Sequence, residues 1–168
     1  TDAIAKNIFI EGIDVSNLTK EEAINYINEN ITPSDIQLNY DGETNIISLD
    51  EIDLKYNTSE VVDEAYNYTK TDSYFENIKR FFDLNKNIKN LEIKSLYNEN
   101  KLSEKIQSIS ESINVAMENA KVYISDSGNI SASSATIGKE LDIAATKESI
   151  YDAIKNKDYK AIDLKVNI

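Results

Sequence analysis

The apolar residues of this chain change their spacing repeatedly along its length: in some stretches they recur every three or four positions, in others they alternate. Such switching asks for short helices and short strands sharing one core, and so confines the chain to a mixed α and β architecture. Leu18-Thr19-Lys20-Glu21-Glu22-Ala23 opens the first helical stretch. Thr19 is placed to cap the N–H of Glu22, Glu22 to reach back to Thr19, and Leu18 to staple onto Ala23. Ala23, Ile24, Ile27 and Ile31 then share one face until Thr32-Pro33 halts the helix. Segments 36–40 and 45–49 alternate around Asp41-Gly42, a pair that accepts positive φ, so a tight hairpin is predicted.

The same reasoning extends along the chain. A short strand over 7–13 closes at Gly12, and Asn57 is predicted to cap a second helix with Val61, Val62, Ala65 and Tyr66 on its apolar side. Tyr74, Phe75, Ile78, Phe81 and Phe82 predict an aromatic-rich third helix over 74–84, followed by a strand near 91–96. A long helix carries Leu102, Ile106, Ile109, Ile113, Ala116 and Met117 at helical spacing. Segments 121–125 and 130–137 form a hairpin around Ser127-Gly128-Asn129, Thr146 caps a last helix through Ile150 and Ile154, and a strand closes the chain. The predicted class is α+β, with mostly antiparallel sheets and packed helices.

The 168 residues suffice for one domain or two small ones, and two related units are expected, 1–87 and 88–168, within one compact fragment. At an offset of 86 Ala23 aligns with Ile109, Ile27 with Ile113, Ile36 with Val122, Leu38 with Ile124 and Gly42 with Gly128. At an offset of 89 Ile52 aligns with Leu141, Asp53 with Asp142 and Val61 with Ile150. The expected repeat is helix, hairpin, Asp-containing strand end, helix. Neither the start Thr1-Asp2-Ala3 nor the strand-like finish at Ile168 resembles a natural terminus, so the chain is read as a fragment of a longer protein.

Charge and composition exclude several functions. With no Cys and no His the chain has no thiol nucleophile, no Ser-His-Asp triad and no imidazole or thiolate metal site. A net charge of −12 with Arg80 as the single arginine argues against nucleic acid and anionic lipid, whose phosphates call for Lys and Arg. No apolar run reaches the ~18 residues of a membrane span, so no membrane insertion is expected. Asp50, Glu51 and Asp53, with Asp41 and Glu43 a hairpin away, form the densest carboxylate group. Such groups serve glycoside hydrolysis or hold a hard cation when converged in a cleft, and otherwise form a solvated surface.

Five residues are candidate ligand contacts. Tyr66, Tyr68 and Tyr74 belong to an aromatic stretch with Phe75, Phe81 and Phe82, and exposed tyrosines both stack on sugar faces and donate hydrogen bonds. The core is expected to take most of these rings, the phenylalanines first. Asp53 and Asp142 end strands ahead of helices, where a carboxylate either meets a ligand or bonds backbone N–H groups. No cofactor and no metal is expected.

The ordered series of motifs resembles the peptidoglycan-binding domain of Gram-positive surface proteins, which often precedes a VanW-type domain or an L,D-transpeptidase catalytic domain. The matching pieces are the lead-in from Gly12 through Leu18-Thr19-Lys20-Glu21-Glu22-Ala23, then Ile47-Ser48-Leu49-Asp50-Glu51-Ile52-Asp53-Leu54, Asp63-Glu64-Ala65-Tyr66, Ile137-Gly138-Lys139-Glu140-Leu141-Asp142, and Ile162-Asp163-Leu164-Lys165-Val166. After Ala65-Tyr66, where the family often shows a Gly-Arg-x-Gly turn, this chain has Thr69-Lys70-Thr71-Asp72. The resemblance implies a non-catalytic module, extracellular in the wall or at a membrane-anchored surface. Its expected partners are the glycan or stem peptide of peptidoglycan and an adjacent domain of the same chain. The alternative reading is a rigid spacer that docks on its neighbour without glycan affinity.

Overall fold

Strand β1 (Ile8–Ile10) turns at Glu11 and Gly12, both at positive φ (49° and 75°), into β2 (Ile13–Asp14), so the lead-in predicted as one strand is a hairpin. Helix α1 (Lys20–Asn30) starts as expected: the Glu22 N–H donates to Thr19 Oγ1 at 3.2 Å, while the Thr19 hydroxyl donates to the Glu22 carboxylate. Strands β3 (Ile36–Tyr40) and β4 (Glu43–Ile47) pair through Asp41 and Gly42, at φ 50° and 75°. A 3-10 turn (Asp50–Ile52), β5 (Lys55–Tyr56), α2 (Thr58–Asn67) and α3 (Tyr74–Asp83) follow. Then come β6 (Lys89–Leu91), β7 (Ser95–Leu96) and α4 (Glu99–Ile113). The chain finishes with β8 (Val122–Ile124), β9 (Ile130–Ala132), β10 (Glu140–Leu141), α5 (Ile143–Asn156), β11 (Ile162–Asp163) and β12 (Val166–Asn167).

This computed structural model describes all 168 residues, and its class is α+β. The residues group into two compact units, each discontinuous in sequence, whereas the expected boundary fell between 87 and 88. Unit 1 comprises Thr1–Pro33 with Asp53–Tyr97, and unit 2 comprises Ser34–Ile52 with Asn98–Ile168.

In unit 1 the sheet order is β2-β1-β6, with β6 parallel to β1, and α1 packs on α2. Its core gathers Ile4, Ile8, Ile10, Val15, Ala23, Ile27, Val62, Ala65 and Leu84, all buried. In unit 2 the order is β4-β3-β11, with β11 parallel to β3, and α4 packs on α5. Ile36, Leu38, Ile47, Ile52, Leu102, Ile106, Leu141, Ile150 and Ile154 are buried there. Each unit thus holds a tight hairpin, two packed helices and a third strand that returns parallel to the first strand of the hairpin.

The alignment at offsets of 86 and 89 pairs α1 with α4 and α2 with α5, the two helices that pack on each other within each unit. It also pairs β3–β4 with β8–β9, and these hairpins differ: Ile36 and Leu38 are buried in a three-stranded sheet, while Val122 and Ile124 are about 70% exposed on a two-stranded ribbon.

Three local expectations are corrected. Asn57 stands at the start of α2 but makes no side-chain cap, because its Oδ1 accepts the N–H of Lys94 at 2.7 Å. Helix α5 is capped by Asp142, whose Oδ1 accepts from the Ala145 N–H at 3.0 Å. Thr146 lies buried inside the helix, its hydroxyl donating to the Asp142 carbonyl. Helix α4 ends at Ile113, so Ala116 and Met117 belong to the following extended segment.

Candidate functional site

Helix α3 turns the expected relation between amphipathicity and burial around. Ser73 caps it, accepting the Glu76 N–H at 3.2 Å, and Glu76 pairs with Arg80 one turn on at 3.1 Å. At 100° per residue Tyr74, Phe75, Ile78, Phe81 and Phe82 fall on one side. All five are exposed, Phe75 at 86%, Tyr74 at 77% and Phe82 at 63%.

The side turned to the rest of unit 1 is polar up to Leu84, the C-cap residue, which is buried in the core, and Phe81 at its edge lies 5.9 Å from the Lys6 ammonium. Asn77 clasps the preceding loop: its Oδ1 accepts from the N–H (2.8 Å) and hydroxyl (2.7 Å) of Thr71, and its Nδ2 donates to the Thr71 carbonyl (2.8 Å). Arg80 Nη1 donates to the Tyr68 carbonyl at 2.9 Å, and the guanidinium lies over the Tyr68 ring at 4.7 Å. These bonds hold the helix by its polar side, which corrects the expectation that the phenylalanines fill the core. The apolar side remains as a preformed surface.

On the flank of α3 lies a groove of about 690 Å³ lined by Tyr68, Phe82, Lys79, Arg80, Lys86 and Lys89 and by the carboxylates of Glu76 and Asp83. The Lys89 ammonium stands 5.5 Å from the Tyr68 ring. Glu76 is committed to Arg80, and Asp83 accepts from Asn87 Nδ2 at 3.1 Å. Four cations against two carboxylates make this groove locally positive in a chain of net charge −12.

The five candidate ligand residues divide among different places. Tyr74 lies on the exposed face of α3, and Tyr68, which caps the end of α2, lines the groove beside it. Tyr66 is half-buried and structural: its hydroxyl donates to Asp2 Oδ1 at 3.0 Å, and its ring lies between the ammonium groups of Lys20 (4.6 Å) and Lys70 (4.0 Å). The bond to Asp2 pushes the Tyr66 hydroxyl above its ordinary pKa. Burial lowers that of Lys70, which donates to the carbonyls of Ala3 and Tyr66.

Asp53 takes a left-handed turn (φ 54°) in unit 1, and Asp142 is the cap of α5 in unit 2, with Lys165 3.8 Å away. In the carboxylate-rich stretch Glu51 accepts from the Ser48 N–H (2.8 Å) and from Lys105 Nζ (2.9 Å). The Lys105 bond is the main cause of a Glu51 pKa below the ordinary range. No three carboxylates are arranged to hold a metal ion.

Sequence reasoning missed Lys79, Arg80, Lys86 and Lys89. The signal was present, since 79–89 holds those four cations and one Asp in an otherwise acidic chain.

A second open site lies in unit 2, where Val115, Met117, Ile137 and Ile168 border a shallow apolar depression of about 800 Å³. Gly138 lies at its edge, where a Cβ would come within 3.1 Å of the Met117 Cβ. No helix is long and apolar enough to cross a membrane.

No curated protein and no solved structure matches this chain. A family model does, over residues 46–163, which include α3, its groove and most of unit 2. That match covers more than two thirds of the sequence, and the chain therefore belongs to the family described as "Putative peptidoglycan binding domain".

Proposed function

We propose that this chain is a non-catalytic module that binds peptidoglycan through unit 1, using the exposed side of α3 and the groove beside it. The observation that carries the reading is the orientation of α3: its polar side is spent on Thr71 and Tyr68, and the rings of Tyr74, Phe75, Phe81 and Phe82 are exposed on the other, Phe81 and Phe82 packed edge to face. Rings held in this way stack on the C–H faces of sugars without first ordering a loop, so little conformational entropy is lost on binding. The cations of the groove also answer an electrostatic objection. A chain of −12 is repelled by an anionic wall beyond a Debye length of about 8 Å, but the groove offers positive charge at contact.

The role that follows is tethering. Weak attachment to a repeating polymer raises the effective concentration of a neighbouring wall-modifying domain, such as an L,D-transpeptidase, without further chemistry. The module would act outside the cell, in the wall or at a membrane-anchored surface. Co-sedimentation with purified sacculi tests the reading: saturable binding that weakens in Tyr74→Ala and Phe75→Ser is expected, and its absence with and without teichoic acid overturns it.

The apolar depression at Ile168 favours a second reading for unit 2, docking of an adjacent domain. Under the spacer alternative, unit 2 docks and unit 1 has no wall affinity. An Ile137→Asp variant that retains sacculus binding but loses association with the neighbouring domain would separate the two surfaces.

A further inference from the structure

Unit 1 meets its ligand with charge as well as with rings, and the charge says which part of the polymer is recognised. The glycan backbone is rich in hydroxyls and acetamides and needs no row of ammonium groups. The short stem peptides carry the carboxylates. In the groove Arg80 is already engaged by Glu76 and the Tyr68 carbonyl. Lys79, Lys86 and Lys89 remain for an incoming anion, while Tyr68 and Phe82 provide apolar wall for small aliphatic side chains. A volume of about 690 Å³ suits a few residues of peptide and falls within the range of small-ligand sites.

We propose that the groove beside α3 binds the acidic stem peptide of peptidoglycan, its carboxylates held by Lys79, Lys86 and Lys89. This rests on the peptidoglycan reading of unit 1 and deepens it. The aromatic side of α3 then adds glycan contact once the peptide is seated. The ammonium groups act as point charges that tolerate variation in peptide geometry, and their contribution falls as salt rises.

The test measures binding of the chain to four probes: teichoic-acid-free sacculi, free stem tetrapeptide, glycan strands stripped of peptide by an amidase with the lactyl carboxylates so exposed capped as methylamides, and glycerol-phosphate polymer. Sacculi and tetrapeptide are expected to bind. A Lys79→Gln/Lys86→Gln/Lys89→Gln variant, folded by circular dichroism, is expected to bind both about tenfold more weakly and with less salt dependence. Stripped glycan bound as tightly as sacculi, or a triple variant that binds like the parent, overturns the inference and leaves the peptidoglycan reading standing. Retention by the glycerol-phosphate polymer without tetrapeptide binding also overturns it, in favour of a phosphate ligand. Failure to bind sacculi, tetrapeptide and stripped glycan alike brings down both readings.

Discussion

Gly42 and Glu51 are residues whose effects follow from backbone geometry and from one ion pair. Gly42 sits at φ 75° with nothing within 4 Å of an added Cβ, so Gly42→Ala meets no clash and carries only the left-handed backbone penalty. A loss of about 1 kcal/mol in urea denaturation is expected. Glu51 has a folded pKa below its ordinary 4.5, first because of the Lys105 bond. Its contribution is therefore complete above the unfolded value and is lost as pH falls through the lowered one. Glu51→Gln should lower stability slightly at neutrality and leave it unchanged in acid, so that the fall below about pH 4.5 flattens, as followed by denaturation at stepped pH. Local chemistry of this kind was legible where both partners lie close in sequence, as in the Thr19 cap and the Asp41-Gly42 turn. It was illegible at Asn57, because the group that claims its side chain, the Lys94 N–H, arrives from a strand connection 37 residues away.

Helix α3 and the β8–β9 ribbon are elements whose existence was foreseen and whose surroundings were not. Periodicity reports which side of a helix is apolar, but not which side a protein buries. In α3 three loop and helix side chains, Thr71, Asn77 and Arg80, decide the matter by hydrogen bonding. Phe75 and Phe82 consequently contribute little to the core, and the double variant Phe75→Ser/Phe82→Ser should unfold within about 0.5 kcal/mol of the parent in urea. In β8–β9 the pairs Val122–Ala132 and Ile124–Ile130 share one face with no element over it, and all six strand residues are exposed. Two-stranded ribbons are marginal in water. Amide hydrogens of β8 and β9 should therefore exchange faster than those of β3 and β4, whose hairpin is joined by β11 and carries buried Ile36, Leu38 and Ile47.

For the chain taken together, charge is the governing quantity. A net −12 repels itself in the folded state, and the ion pairs, such as Lys20–Asp63 and Lys105–Glu51, lie at partly exposed positions where each is worth little. Adding NaCl should raise the urea midpoint, with most of the gain below about 0.15 M, where screening sets in. The mixed class, the Thr19 start of α1, the Asp41-Gly42 turn and the exclusion of Cys- or His-based chemistry were properties of the sequence alone, because each depends on composition or on neighbours a few residues apart. The partition into units was not: the β3–β4 hairpin groups apart from the segments that flank it because β3 pairs with β11, more than a hundred residues later. The positive groove likewise exists only because α3 lies against the Tyr68 backbone and brings Lys89 beside it. Contacts across such separations depend on which buried faces and hydrogen bonds are satisfied together, and no local spacing records that choice.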